Sequence, residues 1–338
     1  MSNDPFNLES NYKYTPHMVI LSLLFIFQYF SKSKEVRANL NEVEKKKADK
    51  LFWKYIIVYQ LAKASDWCLG PFVFEFYETY HELKYESIAK LMAVSFMSSL
   101  FLGSTIVGYL NDSRNKKLPC ILYGIILIFS CYIRVIKHPF ALILSQIAFG
   151  MSSSILYSSF ENWFVDQTNL EIQNKEVKDY LISSVFEKSM IGDSITAVGT
   201  SLVTGIFKKK YGITTPYMIS ILISIVTIGV TGILFSSNDQ NKENVEIEKE
   251  NKVESYDIND VFMNILKSLK ECRKKPFIIL IGLTESFMFV TLHIFIFIWT
   301  PVLKDLNSEV ETSEIFTLFM LSLMLGGATF RVKFIFIN

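Results

Sequence analysis

The sequence predicts an all-α membrane protein, a helical bundle threaded repeatedly through a bilayer. Half of the 338 residues are apolar, with 29 Phe and 16 Tyr. These residues gather in long unbroken blocks separated by short charged loops, without the amphipathic period of a soluble helix. A hydrocarbon core about 30 Å thick needs helices of about 20 apolar residues, the size of these blocks. Backbone in lipid must satisfy its own hydrogen bonds, and the blocks are too long for barrel strands, so they are helices.

Eight main spans are expected, at 51–77, 88–110, 118–136, 139–165, 180–207, 213–235, 277–303 and 314–330. A shorter apolar block at 18–30 precedes them. Lys32, Lys34 and Arg37 follow it and only Lys13 precedes it, the reverse of a secretory signal, so it reads as an uncleaved anchor with its N-terminus outside; the alternative is a surface-lying segment. With 31–50 in the cytosol and the spans alternating, most Lys and Arg fall on the cytosolic side. Lys208, Lys209 and Lys210 are the exception and land outside.

The chain divides into an anchor segment and basic loop (1–50), a six-helix bundle (51–235), a central cytosolic loop (236–276) and the start of a second bundle (277–338). Asn, Glu and Lys dominate 236–256, a composition that cannot bury a core. Val261, Phe262, Ile265, Leu266 and Leu269 then share one helical face beside Lys267, Lys270, Arg273, Lys274 and Lys275, which reads as a helix lying on the inner membrane surface.

Several function classes are disfavoured. The net charge of +1 and the absence of a basic patch interleaved with aromatics give no reason to expect nucleic acid. Cys68, Cys120, Cys131 and Cys272 have no paired spacing and the four His are scattered, so no disulfide framework, metal site or cofactor is expected. The Gly-x-Gly-Asp site of intramembrane aspartyl proteases and the His-x-x-x-Asp site of membrane acyltransferases are both missing, so the chain is not read as an enzyme.

Charges inside spans cost about 2.5–3.5 kcal/mol each at the centre and usually face a cavity or a partner. Lys63 and Asp66 share a face of the first span, three residues apart, beside Trp67. Gly70 and Pro71 follow, and a helix broken next to a buried charge suits a binding site as well as a simple kink beside a local ion pair. The fifth span holds Glu187, Lys188 and Asp193, and the seventh Glu285 and His293. Lys188 and Glu285 each lie roughly 12 Å deep at 1.5 Å per residue. Glu161 and Arg331 lie nearer the inner surface, as gate ion pairs or substrate contacts. His293, on an aromatic face, reads first as a packed histidine. Gly150, Ser154 and Ser158 recur every fourth residue, the spacing that lets helices approach closely; the same hydroxyls can instead face a polar substrate.

The loop between the second and third spans reads GYLNDSRNKK, 108–117. Gly108 is expected to pack closely, Asn115 to take the left-handed turn, and Lys116 and Lys117 to anchor the inner face. Gly108, Leu110, Asp112, Asn115, Lys116 and Lys117 resemble the gating loop of the major facilitator superfamily, with Asn115 where that family usually has Gly. SDWCLGPFVFEFY (65–77), LYSSFENWF (156–164), ESFMFVTLHIFIFIWTPVL (285–303) and GGATFR (326–331) resemble its molybdate-anion transporter branch, which includes Trp163 and a basic residue at the position of Lys188. The resemblance implies two six-helix halves around a central path, transport of a small oxyanion such as molybdate, a monomer in the cell membrane, and Asp66, Trp67, Glu161, Trp163, Lys188, Glu285 and Arg331 as candidate path residues; Lys63, which has no counterpart in that branch, joins them as a charge inside a span. Against that twelve-helix pattern the chain carries the first half and two helices of the second. It is expected to be a fragment, an early-terminated reading or a form without the complete second half. Lys63, Lys188 and Arg331 supply charge for a dianion stripped of water. Asp66 and Glu285 either pair with the lysines or carry a co-transported proton.

Overall fold

The computed structural model describes residues 16–22, 42–113, 115–235, 270, 273–306 and 312–337. Apart from 270 and 273–275, the expected surface helix and the 236–256 loop lie outside the described residues, as does most of the 18–30 block. Residues 16–22 are helical, and Met18 and Leu21 pack against Leu321 and Met324.

The first expected span is broken where Gly70 and Pro71 stand. Helix α1 runs Glu42–Trp67. A single 3₁₀ turn, Gly70–Phe72, carries Pro71, whose missing N–H ends the α-ladder. Helix α2, Val73–Thr79, finishes the crossing. Helix α3, Tyr85–Leu102, continues through a π turn, Gly103–Val107, into α4, Gly108–Asp112, with a 40° bend, so the second span is kinked. Then follow α5 (Lys117–Arg134), α6 (Pro139–Glu171), α7 (Lys175–Tyr211), α8 (Thr215–Leu234), α9 (Pro276–Leu306) and α10 (Thr312–Ile337). Gly212, at φ +96°, takes the left-handed conformation that stops α7, and its N–H caps the Lys208 carbonyl at 2.8 Å.

Among the described residues, four helices (α5 to α8) are long and apolar enough to cross a membrane, and α3 with α4 makes a fifth if the bent pair is one span. The polar and charged residues of α1 keep it out of that set, and the apolar stretches of α9 and α10 within the described residues are short.

Helix α8 packs polar inward and apolar outward. Helix α8 buries Ser220, Ser224, Thr227 and Thr231 completely while Leu222, Ile225, Val226 and Ile233 lie more than half exposed. The Thr227 and Thr231 hydroxyls bond carbonyls four residues back, and Ser220 donates to the Ser65 carbonyl, while among the described residues the Ser224 hydroxyl finds no partner. A soluble helix would be turned the other way, and this inversion suits a helix whose solvent is lipid. Helix α5 is seated between α6 and α8, α3 lies against α6, and α1 is enclosed by α6, α7 and α8.

Close approaches rest on specific glycines. A Cβ on Gly150 would lie 2.1 Å from the Ser95 carbonyl oxygen and 2.9 Å from Ser98 Cβ. Ser154 meets Ser99, hydroxyl to hydroxyl, at 2.7 Å. Ser158 accepts from Asn111 Nδ2 at 3.0 Å. The every-fourth-residue stripe is therefore a helix seam between α6 and the α3–α4 crossing. Gly150→Val should cost about 1–3 kcal/mol through overpacking and lower the melting temperature of the purified protein. Gly199→Ala, where a Cβ meets open space, should leave it unchanged.

Candidate functional site

Lys63 sits at the centre of the bundle with 2% of its side chain exposed. Its amine pairs with Asp193 Oδ2 of α7 at 3.4 Å. It also lies 4.0 Å from the centre of the Tyr157 ring and 5.4 Å from that of Tyr59. Trp67, one turn above on α1, donates its indole N–H to Asp193 Oδ1 at 2.6 Å. Both oxygens of Asp193 are thus engaged from α1, and the carboxylate stays 23% exposed. The cation partner expected for Asp66 has turned to α7 instead. Asp66 remains half-buried, within electrostatic reach of Lys63 and Asp193.

Helix α7 reaches α1 closely because Gly192 meets the Gln60 amide: a Cβ there would stand 2.7 Å from Nε2. Gln60 Nε2 donates to the Ser189 carbonyl at 3.1 Å, and Thr196 Oγ1 donates to Gln60 Oε1 at 2.7 Å. These bonds fix the α1–α7 register that sets Asp193 opposite Lys63. Glu161, on α6 one turn from Tyr157, stands within electrostatic reach of Lys63.

The other candidate residues lie at different levels. The Lys188 amine sits over the Phe52 ring at 5.3 Å. Phe52 precedes Lys63 by eleven positions on α1, about 16 Å of rise, so the two lysines do not share a pocket. Trp163 stacks on Phe235 at 3.4 Å and 8°, at the end of the bundle where α8 stops. Glu285 and Arg331 belong to α9 and α10; their side chains, like that of His293, lie outside the described residues.

Two expectations for the 108–117 loop are corrected. A Cβ on Gly108 would meet only the Gly103 carbonyl, at 4.0 Å; the close contact belongs to Gly103, whose Cβ would lie 2.4 Å from Ser154 Oγ. Asn115 is not left-handed: among the described non-glycine residues only Glu82 has a positive φ. The Asn115 carbonyl accepts from Leu118 N–H at 3.2 Å, a right-handed turn leading into α5. Lys116 donates to the Asn111 carbonyl, which also receives Asn162 Nδ2 at 2.9 Å, and Lys117 donates to the Gly232 carbonyl at 2.9 Å. The two lysines thus staple α4, α5 and α8. Asp112 is exposed.

Sequence reasoning passed over Arg134. It ends α5 fully buried, with Nη2 3.4 Å from Ser130 Oγ and the guanidinium carbon 4.8 Å from the Phe149 ring centre, 5.6 Å from Tyr217 and 5.9 Å from Tyr77. Among the described residues, its Nε and Nη1 have no hydrogen-bond partner. His81, in the loop after α2, bonds the Arg134 carbonyl through Nε2 at 2.8 Å; since that oxygen only accepts, the proton is on Nε2. Burial holds the His81 pKa below its ordinary value. An arginine at the end of an apolar block reads as an interface anchor, and its burial shows only when the rings of α2, α6 and α8 close around it.

Asp193→Asn keeps the acceptor for Trp67 while removing the charge that balances Lys63. It should cost about 3 kcal/mol or more, the penalty of an uncompensated buried charge. Adding Lys63→Met should recover most of that loss, as read by a double-mutant cycle of thermal melts in detergent.

Curated relatives bear the name molybdate-anion transporter. That of Takifugu rubripes is 25% identical over 296 residues, covering 82% of this chain and 58% of its own. Those of Xenopus tropicalis and Danio rerio are 23% and 24% identical, covering 81% and 84% of this chain and 56% and 59% of theirs. The chain therefore spans less than two thirds of the length of the curated relatives it matches. The family profile described as sugar transporters with 12 TM segments matches residues 20–335, and the chain, an all-α membrane protein, belongs to that major facilitator family.

Proposed function

We propose that this chain serves a membrane carrier for a small tetrahedral oxyanion of the molybdate class, working by alternating access in the cell membrane as a monomer. One observation supports it above the others: Lys63 is a buried cation whose carboxylate partner is partly exposed. A dianion stripped of water needs compensating positive charge and hydrogen-bond donors. Swapping the Asp193 carboxylate for the substrate keeps Lys63 paired with an anion, the second negative charge of the dianion falling to another cation of the path or to a proton, and the Trp67 indole N–H is then free to bond the incoming oxygen. Lys188 is a second cationic station one level nearer the inner end, and Glu161, Glu285 and Arg331 complete the charged set along the path. The names of the relatives favour molybdate.

The family's description favours a second reading, a carrier of sugars. The test is accumulation of molybdenum by mass detection, beside uptake of labelled glucose, in cells expressing this chain and any longer product of the transcript read beyond Asn338. Molybdenum uptake above vector cells is expected, competed by tungstate and not by glucose, and Lys63→Met should lower it at least about tenfold, a loss of ~1.4 kcal/mol. Glucose accumulation without molybdenum would overturn the oxyanion reading. Asp66 carries the coupled proton in this scheme, so uptake should lose its dependence on external pH in Asp66→Asn. An unchanged pH profile in that variant removes proton coupling.

A further inference from the structure

Lys208 opens the run of three lysines that breaks the charge rule for the outer side. Its amine donates to both oxygens of Glu75, each at 2.8 Å, and the two side chains are only 14% and 16% exposed. The same amine lies 5.2 Å from the centre of the Phe72 ring. Glu75 belongs to α2, the outer stub left by the break at Pro71. Thr312, the first residue of α10, donates its hydroxyl to Glu75 Oε2 at 3.4 Å. One carboxylate therefore ties α2 and α7 of the six-helix bundle to a helix on the far side of the 236–276 segment. Below this tie, Ser201 donates to the Ser313 carbonyl at 3.1 Å, and a Cβ on Gly205 would lie 2.6 Å from Ser313 Oγ. The α7 and α10 backbones meet there without a gap.

We propose that the Glu75–Lys208 pair, which bridges α2 and α7, and the Thr312 hydroxyl of α10, which bonds the same carboxylate, form a charge latch that holds the outer ends of these three helices together and must break before the outer mouth of the path can open. The inference rests on the carrier reading and adds to it a specific gate. Its burial suits the task. An ion pair at the edge of water is held firmly when closed, and its separated charges are hydrated once the helices part. A latch wholly inside the bundle would have no such compensation on opening.

The test replaces the four native cysteines with alanine and introduces Ser313→Cys, a site 5% exposed beneath the latch, as a reporter for a membrane-impermeant maleimide added to intact cells. Labelling should be slow in this parent. Glu75→Gln and, separately, Lys208→Gln should each raise the rate about tenfold, as the open population grows by that factor. The charge swap Glu75→Lys with Lys208→Glu should return it to within about threefold of the parent, which a general loosening of the fold would not do. A Glu75→Gln rate equal to that of the parent, or a swap as reactive as either single variant, overturns the latch. Labelling confined to permeabilised cells places the pair on the inner face and overturns it as well. A failure of molybdenum uptake bears on the substrate alone and leaves these rates to stand.

Discussion

A lysine amine held in the middle of a helical bundle needs a counter-charge, and the pairing of Lys63 with Asp193 sets the geometry around it. The attraction acts where little water screens it, so the α1–α7 interface is built to keep it: Gly192 removes a side chain so that Gln60 can reach Ser189 and Thr196, and Trp67 holds the second carboxylate oxygen. The rings of Tyr157 and Tyr59 present their negative faces to the amine. The site is thus an electrostatic balance between one buried amine and one carboxylate.

Along α8 the hydrophobic rule is inverted. Ser130, Ser145 and Thr231 lie in the seams between α5, α6 and α8 and return their hydroxyls to backbone carbonyls, while leucines and isoleucines of α8 cover its outside. Small residues bring backbones close enough for dispersion to hold the helices together where lipid supplies no hydrophobic drive. The bundle ends are tied by polar groups: Lys116 and Lys117 to carbonyls at one end, Lys208 to Glu75 at the other.

Much of the fold was legible in residue order. The break at Gly70–Pro71 followed from the missing proline N–H, and the Gly150, Ser154 and Ser158 seam followed from the four-residue period of a helix. The site was legible only in part. Lys63 and Trp67 announced themselves as a charge and an indole beside a helix break. Lys188 also stood out as a buried charge, yet only the structure shows that it sits at a different level. Within the loop, the roles given to Gly108 and Asn115 fell to Gly103 and to a right-handed turn, because a π turn shifts which residue faces α6.

Sequence by itself determined that the chain is helical, how its apolar blocks are spaced, and which charges sit at a cost inside them, because these follow from local composition and from the thickness of a bilayer. Tertiary structure alone decided who answers each charge. Asp193 lies 130 positions from Lys63, Glu75 lies 133 from Lys208, and Arg134 is caged by rings from three other helices. Coulomb attraction depends on distance in space, which no local pattern of residues encodes.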